Sequence, residues 1–240
     1  MHAAHDAMCD VVEPWEHGTI VRATRYPSYF DYNVVRVEDR AELTVDALVE
    51  IADEALAGLT HRRVVFEVAA AGEPLRARFE SLGWKATRLV WMLHGGGAPP
   101  GHPAMRVEPV PYDAVHELRV AWLAEDFPDL DVTDFLADAR ERAIGLGAEL
   151  LAALEDGAPV GYAQVERVGD GAEITEVFVR ADRRGRGLGT AITRAAIEAA
   201  GEVGDLWIVA DADDRAKDIY ARLGFRPVCT VMDFLRLPPA

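Results

Sequence analysis

The stretch Val177-Phe178-Val179-Arg180-Ala181-Asp182-Arg183-Arg184-Gly185-Arg186-Gly187-Leu188-Gly189-Thr190 joins two kinds of pattern. Its β-branched and aromatic start reads as the end of a strand. From Leu188 onward the apolar residues recur at helical spacing to about residue 200. Between the two lies a loop rich in glycine, with arginine at 183, 184 and 186. Amides at a helix start have no carbonyl one turn back, and the helix dipole there favours negative charge. Glycines at 185, 187 and 189 let a phosphate approach those amides with no side chain in the way. A Walker loop would need a lysine that is absent, and Ile192 stands where a dinucleotide fingerprint has its third glycine. An RNA-binding arginine-glycine tract is disordered, whereas this one sits between a strand and a helix. The plainest alternative is a turn with solvated arginines.

Outward from the loop, the C-terminal half alternates. A strand is expected at 105–109, helices at 112–125 and from Asp131 or Thr133 to about 146, and a hairpin at 148–154 and 159–168 around Asp156-Gly157. Strands follow at 173–179, 206–210 and 228–237, with helices at 188–200 and 213–223. An antiparallel run that passes into strand–helix alternation implies one mixed α/β sheet. The N-terminal half repeats this order in shorter form: strands at 19–23, 33–37, 64–68 and 88–93, helices at 45–56 and 74–82. Phe79-Glu80-Ser81-Leu82-Gly83-Trp84 parallels Tyr220-Ala221-Arg222-Leu223-Gly224-Phe225, which together with the matching order reads as an internal repeat. Gly95-Gly96-Gly97-Ala98-Pro99-Pro100-Gly101-His102-Pro103 cannot pack and reads as a linker. The expected organisation is a domain at 1–94, the linker at 95–103 and a second domain at 104–240.

The chain has 240 residues, half of them hydrophobic, and a net charge of −16. A duplex-binding face is not available at that charge, and a small cationic partner suits it better. Two cysteines make neither a disulfide framework nor a zinc signature. No run is apolar enough for a signal peptide or a membrane span, so a cytoplasmic location is expected, with no nucleic-acid or membrane partner.

Arg184-Gly185-Arg186-Gly187-Leu188-Gly189 resembles the [Q/R]-x-x-G-x-[G/A] element of the GNAT superfamily of acetyl-CoA-dependent N-acetyltransferases. The preceding Val-x-Val strand and the later Ala216-x-x-x-Tyr220-x-x-Leu223-Gly224-Phe225 fit the same pattern, and the likeness covers about 105–237. It implies a mixed, mostly antiparallel sheet flanked by helices, and acetyl-CoA as co-substrate. The coenzyme's pyrophosphate would meet the backbone of Arg184, Gly185, Arg186, Gly187, Leu188, Gly189 and Thr190, and its pantetheine arm would follow Val177, Phe178 and Val179. The acceptor would be the amine of a small molecule or a peptide. A coenzyme sensor without turnover is the alternative, and a homodimer is left open.

The resemblance also assigns roles. Tyr220 stands at the family's tyrosine and would protonate the departing thiolate. Glu176 is the leading candidate for a base; strand alternation places it with Ile174 and Phe178, among apolar neighbours that would raise its pKa. Glu173 is the alternative base, and capture of an already neutral amine is the simpler reading. Asp213 replaces the asparagine usual seven positions before the tyrosine; it can cap the helix but, ionised, cannot donate a hydrogen bond to the coenzyme. Glu125, Asp126, Asp129, Asp131 and Asp134 would border the acceptor site and attract a cation, or simply form a solvated face. The N-terminal half looks like a disabled copy, with acids and no glycine at 38–43 and Phe79 in place of a tyrosine. It should bind no coenzyme, pack against the other half and help shape the acceptor pocket. Its aromatic stretch at 26–33 suits either a binding loop or interface packing.

Overall fold

In the computed structural model of the protein, the described residues are 6, 8–96 and 105–237. The expected linker therefore lies mostly outside them. The N-terminal half supplies β1 (Val11–Trp15), β2 (Gly18–Arg22), β3 (Val34–Val37), α1 (Val45–Ala55), β4 (Arg62–Phe66), α2 (Ala69–Gly72), α3 (Arg76–Ser81) and β5 (Lys85–His94). The other half supplies β6 (Val107–Val110), α4 (His116–Asp126), α5 (Thr133–Gly145), β7 (Glu149–Glu155), β8 (Ala158–Val168), β9 (Gly171–Val179), α6 (Leu188–Ala200), β10 (Leu206–Asp211), α7 (Ala216–Arg222) and β11 (Phe225–Arg236).

Periodicity carried most of these elements. Helix α6 buries Leu188, Ala191, Ile192, Ala196, Ile197 and Ala200, the stripe that its spacing predicts. Strand β1 has no counterpart among the expectations. Among the described residues it pairs only with β2, and it contains Pro14 and an exposed Val12. Proline is tolerated on such an edge, but it hides the strand from a propensity reading. The helix expected from Asp213 begins only at Ala216, because Asp211 accepts the amide of Asp213 in a turn.

Among the described residues the strands form one sheet in the order β1-β2-β3-β4-β11-β5-β10-β9-β8-β7-β6. Pairing is parallel for β3 with β4 and for β9 with β10, and antiparallel elsewhere. Each half contributes an antiparallel run, a parallel strand–helix–strand unit, a short helix and a last strand. The last strands are exchanged. β5 lies against β10, β11 lies against β4, and β5 and β11 pair with each other at the centre.

The cores follow the exchange. Val90 and Met92 of β5 are buried with Ile174, Ile192, Ile208 and Tyr220, while Met232 and Phe234 of β11 are buried with Val35, Leu48, Phe66 and Phe79. The two Leu-Gly turns match as well: Gly83 and Gly224 both have a left-handed φ, of 78° and 99°. Phe79 packs edge-on against Trp84, as Tyr220 does against Phe225.

Neither half can keep its core dry without the other's last strand. Residues 105–240 produced alone should therefore show no cooperative thermal transition, and full-length protein nicked within 97–104 should elute undivided from a sizing column. A fragment that melts cooperatively near the temperature of the whole chain would contradict this.

Candidate active site

The site grows from a fork in the sheet. β9 and β10 pair in parallel only where Ala172–Ile174 meets Leu206–Ile208. Beyond that point β10 continues along β5 and β9 continues along β8, so a gap opens between two parallel strands. The cause is local. Against β8 the register shifts between Tyr162, which faces Phe178, and Gln164, which faces Thr175. Glu176 and Val177 thus stand opposite one residue, a β-bulge. Glu176 has φ 53°, a left-handed conformation that costs a non-glycine residue about 1–3 kcal/mol.

The bulge also resets the strand's alternation, and the surroundings expected for Glu176 are not those it has. Its Oε2 accepts from Arg119 Nε at 2.7 Å and from the Tyr162 hydroxyl at 3.3 Å. Arg119 comes from α4, is buried, and also donates to Gln164 Oε1 at 2.6 Å. Glu176 is therefore a buried ion-pair partner rather than a carboxyl among apolar side chains. Removing one member of such a pair typically costs ~3–5 kcal/mol.

At the far end of β9, Gly185 and Gly187 are left-handed, with φ 77° and 83°. No neighbouring protein atom demands glycine there: a Cβ at Gly185 would meet nothing within 4 Å, and one at Gly187 would meet Met105 at 3.7 Å. Backbone conformation demands it. Gly187 precedes α6 and no side chain caps the helix, so the first amides, at Leu188, Gly189 and Thr190, have no capping side chain to bond. At α1, the corresponding helix of the other half, Thr44 Oγ1 takes the amide of Ala47 at 3.3 Å. The α6 loop can cradle a diphosphate; the α1 entry is closed by its own side chain.

The loop arginines are not equally available. Arg183 donates to Glu155 at 2.6 Å, and Arg184 donates to the Val179 carbonyl at 2.8 Å and to Glu125 at 2.6 Å. Among the described residues Arg186 has no such partner, so it is the guanidinium most available to an anion. Asp213 does not cap α7; its carboxylate takes Arg88 Nη2 of β5 at 2.8 Å. Val177 and Val179 pack on the core that contains Ile192, while Phe178 is buried on the opposite side with Tyr162 and Leu118.

The mouth of the fork opens on a cavity of about 270 Å³. From the C-terminal half it is lined by Glu173, Glu176, Val177, Tyr220, Trp122 and Arg142; from the other half by Tyr29, Asp31, Tyr32, Arg63 and Trp91. Tyr220 is 5% exposed, and burial, aided by the charge of Asp214, pushes its pKa up. Glu173 is driven up to about 8, first by burial and then by the neighbouring charge of Glu166. The cavity's cations are already engaged. Arg142 holds Glu166 at 2.5 and 2.6 Å and the Tyr32 hydroxyl at 2.9 Å; Arg63 holds Asp233 at 2.9 Å and also Asp31.

The aromatic stretch at 26–33 is divided between the cavity and interface packing. Tyr29 and Tyr32 line the cavity, while Phe30 stacks on Phe135 of α5. The acidic loop is split. Glu125 is spent on Arg184, Asp131 accepts the Thr133 amide, and Asp129, Asp131 and Asp134 line a different cavity beside Phe30 and His61. Arg119 and Arg142 were absent from the sequence expectations, yet each carried a signal. Each occupies the apolar stripe of its helix, Arg119 beside Leu118 and Leu123, Arg142 beside Ala139 and Ala143. A charge there implies a buried partner.

Comparison with known proteins agrees with this geometry. Residues 112–225 match the model of the acetyltransferase (GNAT) family. A mycothiol acetyltransferase of Nocardia farcinica is 39% identical over 120 residues, which are 48% of this chain and 37% of that protein. The chain thus spans little more than a third of that curated relative. Among solved structures, a GCN5-related N-acetyltransferase from Kribbella flavida aligns with a TM-score of 0.58 over 99% of this chain and 93% of its own, at 20% identity. A functionally unknown conserved protein from Staphylococcus epidermidis aligns with a TM-score of 0.66 over 96% and 95%, at 15% identity. At those identities the two structures speak for the fold alone. No described helix is long and apolar enough to cross a membrane. The segment from Tyr112 to Phe225, carrying the forked strands, the glycine loop and Tyr220, belongs to the acetyltransferase (GNAT) family.

Proposed function

We propose that the protein is an N-acetyltransferase that moves the acetyl group of acetyl-CoA to a primary amine of a small molecule or peptide. The observation that carries this reading is the fork. It leads from an uncapped, glycine-lined helix start to a cavity where Glu173 and Tyr220 are both present. Acetyl-CoA supplies the activated acyl thioester. Its pyrophosphate would rest on the amides of Gly185 to Thr190 with Arg186 beside it, and its arm would run along Val177–Val179 in the gap beside β10. A backbone N–H at the end of β9 polarises the acyl oxygen, a kind of contact worth ~3 kcal/mol per donor. The N-terminal half, a second copy without a coenzyme site, completes the acceptor wall through Tyr29, Asp31, Tyr32, Arg63 and Trp91.

The acceptor must lose a proton before it can attack, because an alkylamine has a pKa of ~10. Glu173 is the base in this proposal. Its carboxyl protonates near pH 8, well placed to take a proton from an ammonium, whereas the carboxylate of Glu176 is committed to Arg119. Tyr220, whose phenol burial keeps protonated, gives its hydroxyl proton to the departing thiolate. Holding both substrates in one enclosed cavity supplies several further kcal/mol, on the order of what intramolecular reactions gain.

Free thiol should appear when the protein is mixed with acetyl-CoA and a panel of small amines; no release with any of them, from a protein that binds the coenzyme, would leave a sensor instead. Tyr220→Phe keeps the ring against Phe225 and removes only the hydroxyl. The expected result is a fall of ~10²-fold in kcat with little change in KM for acetyl-CoA, since the proton is needed only as the thiolate forms. Near-normal turnover would reduce Tyr220 to a packing residue. For Glu173 the sign follows from its raised pKa. A base must be ionised, so kcat should climb as pH rises through about 8 and level off above. Glu173→Gln should flatten that climb and lower the plateau by ~10²-fold. A parent profile already flat between pH 6 and 8 would speak against this base.

A further inference from the structure

Two described non-glycine residues have a left-handed φ, Asp156 and Glu176. Asp156 sits in the Asp-Gly turn between β7 and β8, where that conformation is ordinary. Glu176 sits inside a strand, where it is not. Glycine would adopt the bulge freely, yet the chain carries a glutamate, so something outside the backbone must favour this conformation.

The side chain is held on one side only. Arg119 Nε donates to its Oε2 at 2.7 Å and Nη2 stands at the same distance; the Tyr162 hydroxyl adds a third contact at 3.3 Å. Arg119 is itself fixed. Nη2 bonds Gln164 at 2.6 Å, and the guanidinium lies 3.8 Å from the centre of the Tyr112 ring and 5.1 Å from that of Tyr162. These anchors come from β8, from α4 and from the turn before it, on the side of β9 away from β10.

We propose that Arg119 is a positioning residue for the coenzyme slot. By gripping Glu176 it holds the bulge in β9, and the bulge keeps β9 apart from β10. This rests on the reading that the gap takes the coenzyme's arm. Arg119 touches neither substrate; it acts through the backbone of Glu176 and Val177. Without the grip, residue 176 relaxes to an extended conformation, β9 pairs onward with β10, and the gap narrows. A base at position 176 would leave a different trace, since losing it would slow turnover without weakening coenzyme binding.

The test measures coenzyme A binding by calorimetry and amide exchange over 175–179, neither of which needs turnover. Glu176→Ala removes the grip and keeps the backbone penalty; affinity should weaken by about tenfold or more, and exchange over 175–179 should slow as the strands close. Glu176→Gly removes the grip and the penalty together, so affinity should stay within about threefold of the parent, with exchange unchanged. Arg119→Met should behave like the alanine variant, and the double variant Arg119→Met, Glu176→Gly should return to near-parent binding. That restoration separates positioning from a general loss of packing. Parent-like affinity in Glu176→Ala, or a glycine variant as weak as the alanine one, would overturn the proposal. A parent protein that fails to bind coenzyme A would instead remove the coenzyme reading, and the exchange pattern would still decide whether Arg119 holds the bulge.

Discussion

At the centre of the sheet β5 and β11 run antiparallel, and each completes the core of the half it does not belong to. The rest of the molecule depends on that exchange. Because β5 seals the open side of β10, β10 is held along its full length, and only β9 is free to diverge from it. Because β11 lies against β4, Arg63 of the N-terminal half reaches Asp233. The same exchange brings Tyr29, Asp31 and Tyr32 to the wall of the cavity that holds Glu173 and Tyr220. A cavity walled by both halves is thus a consequence of strand order.

The charge pattern has a related logic. In a chain of net −16 the buried cations near the site are each matched: Arg119 with Glu176, Arg142 with Glu166, and Arg63 with Asp31 and Asp233. Buried pairs of this kind contribute little net stability compared with apolar packing, but they are costly to break and so enforce one arrangement. Here they enforce the bulge and the packing of the 26–33 segment against α5. Arg186, at the glycine loop, is left with no carboxylate among the described residues, so its guanidinium stays available to an anion. Glu173, by contrast, is buried close to the charge of Glu166, and both effects raise its pKa, to about 8.

What the sequence by itself determined was whatever depends on neighbours along the chain. The strand–loop–helix unit at 177–200, the hairpin around Asp156-Gly157, and the parallel Leu-Gly turns after Phe79 and Tyr220 all follow from local backbone and periodicity rules. The acetyltransferase family was legible for the same reason, since its signature is a phosphate cradle made of consecutive residues. Pairings between distant segments were not legible. Which last strand completes which half has no local signature, because β5 and β11 have similar lengths and similar apolar patterns. Only the tertiary structure decided the exchange. It also decided the environment of Glu176: one bulged residue shifts the strand's alternation, and the carboxylate meets Arg119, 57 positions earlier in the chain. The availability of each loop arginine, the partner of Asp213, and the composite wall of the cavity were decided in the same way, by which side chains folding brings within a few ångströms of one another.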